Sequence, residues 1–280
     1  MTLEGLRGRT AVVTGASSGI GRALALRLAA EGMNVVVAAR RLEPLDSVAE
    51  EIRMLDVSAL AVACDVGSHA QVQALADRAH DEFGAVHVLC NNAGVTTIGE
   101  FVEHETSDWE WVYRIVVMGV VHGIRAFLPR MIKQRSGHIL NTGSQAGLVP
   151  DGWLNHGPYT SAKAAVTALS VALRAEVAAH GVGISLLVPG GVRTSILTTH
   201  DQRPTAGEDS SAERTPITAR PAAPARESGT PRWLEPEDVA ARAVAGIRRN
   251  EAFIITHPGM RPLAAEYFGR ILAAYDGASD

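Results

Sequence analysis

The chain has 280 residues, 46% of them hydrophobic, enough to bury one full core as a single large α/β domain spanning 1–280. Its formal net charge of -4 gives no footing for nucleic acid or an anionic membrane surface as the main partner. Residues 1–9 are polar and no run approaches about 18 uncharged apolar residues, so neither a signal peptide nor a membrane span is expected. Cys64 and Cys90 each end an apolar run; buried thiols in a reducing compartment, hence a cytoplasmic location, are the default expectation.

Residues 10–14 read as a short apolar strand. Gly15-Ala16-Ser17-Ser18-Gly19-Ile20-Gly21 then turns the chain into a helix over 22–31. Glycines there permit a tight turn and let backbone approach a pyrophosphate seated at the helix N-terminus; a plain glycine-rich turn is the alternative. A second apolar strand, 34–39, runs into Arg40-Arg41. Dinucleotide sites that take NAD carry an acid near that strand end, where it bonds the ribose hydroxyls. Here Ala39 holds that place and Arg40 follows, offering planar donors suited to a 2′-phosphate. Surface arginines closing a loop would look the same.

A helix over 42–55, a strand over 59–63 ending near Asp65-Val66, a helix over 68–83 and a strand over 86–90 come next. Asn91-Asn92-Ala93-Gly94 closes that strand with small residues, and Asn91 can tie neighbouring strand ends together. This alternation predicts a doubly wound parallel sheet with helices on both faces. Residues 108–131 read as one long helix on which Trp109, Val112, Ile115 and Val116 recur at helical spacing, as core or subunit interface. A fifth strand starts at 138–141 and ends with Thr142-Gly143-Ser144. A helix over 159–180 and a sixth strand over 183–188 lead to Pro189-Gly190-Gly191-Val192-Arg193-Thr194. Residues 201–232 are rich in proline, Ser, Thr, Ala and Arg without a sustained period. With their flanks, 195–233, they are expected to form a mobile substrate lid. A helix over 236–249, a seventh strand over 252–256 and a last helix over 261–274 complete the chain.

Tyr159 and Lys163 are four residues apart and so share a helix face, where the ammonium can lower the phenol's pKa and fit it for proton exchange. Taken alone, the bare pair reads first as a solvated helix face. Joined to the glycine turn, to Asn91-Asn92-Ala93-Gly94 and to Pro189-Gly190, it resembles the classical short-chain dehydrogenase/reductase family over residues 8–197. The resemblance implies a Rossmann-like sheet of about seven strands. It implies Ser144, Tyr159 and Lys163 as the catalytic group. Cofactor contacts would come from Gly15, Ser17, Ser18, Gly19, Ile20 and Gly21 at the pyrophosphate, Arg40 and Arg41 at the ribose, and Asp65 and Val66 at the adenine. Asn92, Ala93 and Gly94 would line the middle, with Tyr159 and Lys163 beside them, and Pro189, Gly190, Val192 and Thr194 would hold the nicotinamide.

Arg40 in this frame implies NADP(H) as preferred cofactor, with NAD(H) possible. The activity implied is reversible hydride transfer between a secondary alcohol and a ketone. An elimination or isomerisation on the same scaffold, and a dinucleotide-binding regulatory protein, are the alternatives. No metal is implied, since no HxxEH or CxxC cluster is present. Ser144 lies 15 residues before Tyr159. The longer loop 150–156 between them is expected to line a substrate pocket through Trp153, Leu154 and His156, with Gln145 beside Ser144; a surface role for His156 is the other reading. The family's pairing of the long helix implies a homodimer or homotetramer. The tail, with Leu234-Glu235-Pro236-Glu237, Phe253-Ile254-Ile255, His257-Pro258 and Arg261, resembles bacterial members that oxidise benzylic alcohols, as does Gly157-Pro158-Tyr159. One departure stands out: Val116 occupies the position of the asparagine that in the family helps hold a water behind the catalytic lysine.

Overall fold

The structure, a computed structural model, describes residues 5–202 and 233–278. Most of the expected lid, 203–232, therefore lies outside the described residues. The first half alternates strictly: β1 (Thr10–Thr14), α1 (Gly19–Ala30), β2 (Asn34–Ala39), α2 (Glu43–Arg53), β3 (Ala59–Ala63), α3 (His69–Phe83) and β4 (Val88–Asn91). The second half holds α4 (Thr106–Tyr113), α5 (Gly119–Lys133), β5 (Gly137–Thr142), α6 (Gln145–Leu148), α7 (Gly157–Val177), β6 (Val182–Val188), α8 (Pro236–Arg248), β7 (Phe253–Ile255) and α9 (Arg261–Asp276).

All seven strands run parallel in the order β3-β2-β1-β4-β5-β6-β7. The direction of winding reverses between β1 and β4, and in such sheets that switch point opens a crevice at the carboxyl ends of the strands. Alternate side chains face opposite layers. Val12, Val36, Leu89 and Ile139 pack under α3, α5 and α7, while Val13, Val35, Val37 and Leu140 pack under α1, α2 and α8. Burial on both faces explains why these strands are nearly unbroken runs of Val, Leu and Ala.

Three boundaries correct the sequence reading. The helix expected over 108–131 is not uniform: a π-helical turn, Arg114–Met118, separates α4 from α5. The combined helix is long and apolar enough to cross a membrane by composition alone, yet it lies against the sheet with nearly half of its apolar window buried. Ser144 does not end β5 but caps α6, its Oγ accepting from the Ala146 N–H at 3.1 Å. The fourth strand extends through Asn91, which pairs in register with Asn141 of β5.

Candidate active site

A cavity of about 650 Å³ opens at the switch point. Its wall includes every residue assigned above to the cofactor and the catalytic group, from Gly15 through Ser144 to Thr194. The phosphate turn is compatible only with glycine at its tightest points. At Gly15, φ is +65°, and a Cβ there would come within 2.8 Å of the Ala93 Cα. At Gly19, φ is +53°, and a Cβ would strike the Thr194 Cγ2 at 2.9 Å. Thr14 fastens this turn to the Asn-Asn-Ala-Gly segment: its Oγ1 accepts from the N–H groups of Asn92 (3.0 Å) and Ala93 (3.2 Å), and its carbonyl accepts from Asn92 Nδ2 at 3.1 Å. The wall thus combines an amide-lined turn at a helix start with room for an extended ligand, which fits a dinucleotide.

At one end of the cavity Ala39 leaves space and Arg40 stands exposed, its Nη2 donating to Gln202 Oε1 at 2.9 Å. Asp65 accepts from Arg114 Nη1 at 2.8 Å and from the Gly67 N–H at 2.9 Å. Burial alone would raise this carboxyl, but the bonds from Arg114 and Gly67, with the charges of Arg114 and Arg40, hold it below the usual carboxylate range.

The catalytic group gathers where α6 and α7 meet the end of β5. Proline at the start of α7 sets its entry, and Tyr159 and Lys163 follow on the inward face. Lys163 is buried and donates from Nζ to the Thr142 carbonyl at 2.6 Å; its Nζ lies 5.7 Å from the centre of the Tyr159 ring. Loss of hydration lowers Lys163 to about 8. Burial also raises the Tyr159 phenol, against the pull of its hydrogen bond with Ser144. The expected lowering of the phenol by Lys163 is not what the site shows: the ammonium bonds Thr142, and burial raises the phenol.

Behind this group runs a buried polar ladder. Asn91 Nδ2 donates to Asn141 Oδ1 (2.9 Å), Asn141 Nδ2 to Ser170 Oγ (3.0 Å), and the Ser170 hydroxyl to the Val166 carbonyl (2.7 Å). It locks β4, β5 and α7 together one residue away from Thr142. The sequence showed Asn91 as a tie but not its partners. At the other end, His257 joins the site unannounced. Its Nδ1 accepts from the Gly190 N–H at 3.0 Å and its Nε2–H donates to the Gly191 carbonyl at 3.0 Å, fixing the loop that carries Val192 and Thr194.

The residues expected to line the substrate pocket stand outside the wall of this cavity. Gln145 is buried, with its N–H on the Pro189 carbonyl at 2.8 Å. Leu154 is 58% exposed, and His156 turns its Nδ1 to the Leu154 carbonyl at 2.7 Å. Trp153 is half-buried in the same loop, which Gly99 pins by its N–H on Asn155 O at 2.9 Å. The wall instead takes in Val95, Ile115, Ile196, Thr199 and Gln202. Ile115 was read as core or interface only; it is both buried and part of the wall. The last three lie on the 3₁₀ segment Ser195–Gln202, the described edge of the expected lid.

Known proteins place this geometry. The family described as short chain dehydrogenase matches residues 9–205. A 3-oxoacyl-[acyl-carrier-protein] reductase from Staphylococcus aureus is 36% identical over 183 residues, covering 65% of this chain and 74% of its own. A glycine betaine reductase from Emericella nidulans is 33% identical over 246 residues; the match takes in 88% of this chain but spans only 18% of that much longer protein. Among solved structures, a short chain dehydrogenase/reductase from Burkholderia phymatum in complex with NAD superposes with a TM-score of 0.86 at 36% identity, covering 97% of both chains. A short-chain dehydrogenase from Sphingobium yanoikuyae in complex with NADPH gives 0.75 at 26% identity, covering 95% of both. With its fold, its glycine turn and its serine, tyrosine and lysine on one cavity wall, the chain belongs to the short-chain dehydrogenase/reductase family of NAD(P)-dependent oxidoreductases.

Proposed function

We propose that the protein interconverts a secondary alcohol and a ketone with NADP(H) as preferred cofactor and Tyr159 as the acid/base. The observation that carries this reading is the convergence of Ser144, Tyr159 and Lys163 on one wall of the cavity that also holds the phosphate turn. A bound nicotinamide supplies or accepts the hydride. The chain's own groups handle the rest. The phenol, kept protonated by burial, gives its proton to a carbonyl oxygen during reduction. Lys163, protonated below about 8, offsets the negative charge left on the phenol. Ser144 keeps its own hydroxyl hydrogen while accepting from Ala146, and so can hold the substrate oxygen opposite Tyr159.

The cofactor preference is supported by Ala39 in place of an acid and by the exposed guanidinium of Arg40 at the cavity rim. An apolar, aromatic-tolerant substrate agrees with the exposed Phe101, Val102, Leu154 and Leu197. Assembly as a homodimer or homotetramer belongs to the same reading, with exposed Met118 and Val171 offering apolar surface. The test is a panel of secondary alcohols and ketones followed at the nicotinamide absorbance. Tyr159→Phe is expected to abolish nearly all turnover, a loss of about 10²–10⁴-fold or more, with dinucleotide affinity nearly intact. Product formation without any change in nicotinamide absorbance would replace this reading by elimination or isomerisation.

A further inference from the structure

The segment Ser195–Gln202 follows directly on Thr194 at one end of the cavity and finishes at Arg40 at the other. It is fastened along its length. Thr199 Oγ1 accepts from the Thr96 N–H at 2.9 Å, and His200 Nδ1 accepts from the Ile98 N–H at 3.1 Å, which ties the segment to the loop after β4. Gln202 Oε1 then accepts from Arg40 Nη2 at 2.9 Å, which ties it to the end of β2. Ile196, Thr199 and Gln202 share the cavity wall with Arg40 and Arg41. The segment is thus a strap laid over the cavity, and its last fastening is the arginine at the ribose end.

The charges around that fastening matter. Asp65 is near enough for Arg40 to act on it, but its carboxylate is already engaged by Arg114 at 2.8 Å. Gln202 is neutral. Among the described residues no carboxylate forms a salt bridge with Arg40, so its guanidinium is held in place with its charge available, which suits a phosphate better than a ribose hydroxyl. The glutamine amide also has two N–H donors beyond the oxygen that holds Arg40.

We propose that Gln202 is a specificity-determining residue: with Arg40 it reads the 2′-phosphate of the cofactor, and through it that phosphate secures the strap over the cavity. This rests on the NADP(H) reading above. A glutamate at this position would pair with Arg40 and repel the phosphate, whereas alanine would only remove the amide.

Calorimetric dissociation constants for NADP⁺ and NAD⁺ test the proposal in wild type, Arg40→Ala, Gln202→Glu and Gln202→Ala. The preference for NADP⁺ is expected to fall about tenfold or more in Gln202→Glu, comparable to Arg40→Ala, and about threefold in Gln202→Ala, the scale of one charge-assisted and one ordinary hydrogen bond. Amide hydrogen exchange over 195–202 is expected to slow more with NADP⁺ than with NAD⁺ in wild type and equally with both in Gln202→Ala. An undiminished preference in Gln202→Glu, alongside its loss in Arg40→Ala, overturns the role of Gln202 and leaves the cofactor reading standing. Wild type that binds NAD⁺ more tightly overturns the cofactor reading itself, and this proposal with it.

Discussion

Replacing Lys163 by methionine separates what the residue does for catalysis from what it costs the fold. Burial lowers the ammonium from 10.5 to about 8, so holding its charge in the folded protein at neutral pH costs about 3 kcal/mol relative to the unfolded chain. Methionine removes that cost and fills similar volume. It also leaves the Thr142 carbonyl without the Nζ donor that sits at 2.6 Å, a loss of about 1–3 kcal/mol. The variant should therefore be as stable as wild type at pH 7, or up to about 2 kcal/mol more stable, while losing turnover. The pH dependence is the sharper readout. Between about pH 7 and 9 the folded protein releases the Lys163 proton while the unfolded chain keeps it. Unfolded chains that bind more protons mean stability that rises with pH, here by about 1 kcal/mol relative to the variant. Cys64 and Cys90, raised by burial to about 11 and about 12, act in the opposite sense near the top of that window, but equally in both proteins. Urea unfolding followed by tryptophan fluorescence at pH 7, 8 and 9, taken as wild type minus variant, measures the term. A difference that stays flat with pH, or a variant weaker by more than about 3 kcal/mol throughout, would refute the argument that Lys163 is held against its hydration.

Acid should expose a second buried group. His138, lowered to about 3 by burial and then by Arg174, stays neutral in the fold, with Nε2 on Ser185 Oγ at 2.9 Å. The unfolded chain takes up its proton first, so stability falls as pH drops below 6.5, by about 3 kcal/mol at about pH 4.5. His138→Gln should flatten that limb in urea titrations; parallel losses in both proteins would assign the acid sensitivity elsewhere. For the ladder, Ser170→Ala strips Asn141 Nδ2 of its acceptor and should cost about 1–3 kcal/mol. Combined with Asn141→Leu it should cost less than the two single changes added together, by about 1 kcal/mol, because both break the same bond; strict additivity in unfolding free energies would show that the two side chains are not coupled.

The sequence carried the scaffold well because a parallel sheet buried on both faces writes itself as apolar runs. The first three strands have the expected limits, 10–14, 34–39 and 59–63. The fourth was displaced because Asn91 looks like loop when read alone; only its pairing with Asn141 across the sheet makes it strand. The phosphate turn and the Tyr159–Lys163 pair were legible since local spacing sets both. Other parts of the site depend on where distant segments meet, which local spacing does not set. Trp153 and Leu154 suggested a pocket by their apolar character; they stand in a loop pinned to Gly99 and outside the wall of the cofactor cavity. Gln202 gave no local sign of joining the site, and its contact with Arg40 spans 162 residues. His257 was noticed only within a tail motif, while its grip on Gly190 and Gly191 comes from β7 lying beside β6.

The π-helical turn links these ends of the site to one another. A π turn holds one residue more than a regular turn, so side chains after it are rotated relative to those before. Here the turn sits between α4 and α5, packs against α7, and includes Val116. Within it, Arg114 reaches Asp65 near the ribose end, Ile115 enters the cavity wall, and Val116 is buried in the apolar cluster beneath α7. Valine supplies no side-chain donor or acceptor, and the ammonium of Lys163 is held by the Thr142 carbonyl. Arg114 pairs with Asp65 near the ribose end, while burial brings Lys163 down to about 8. The π-helical turn thus carries Arg114 to Asp65 at one end of the cavity and sets Ile115 in its wall.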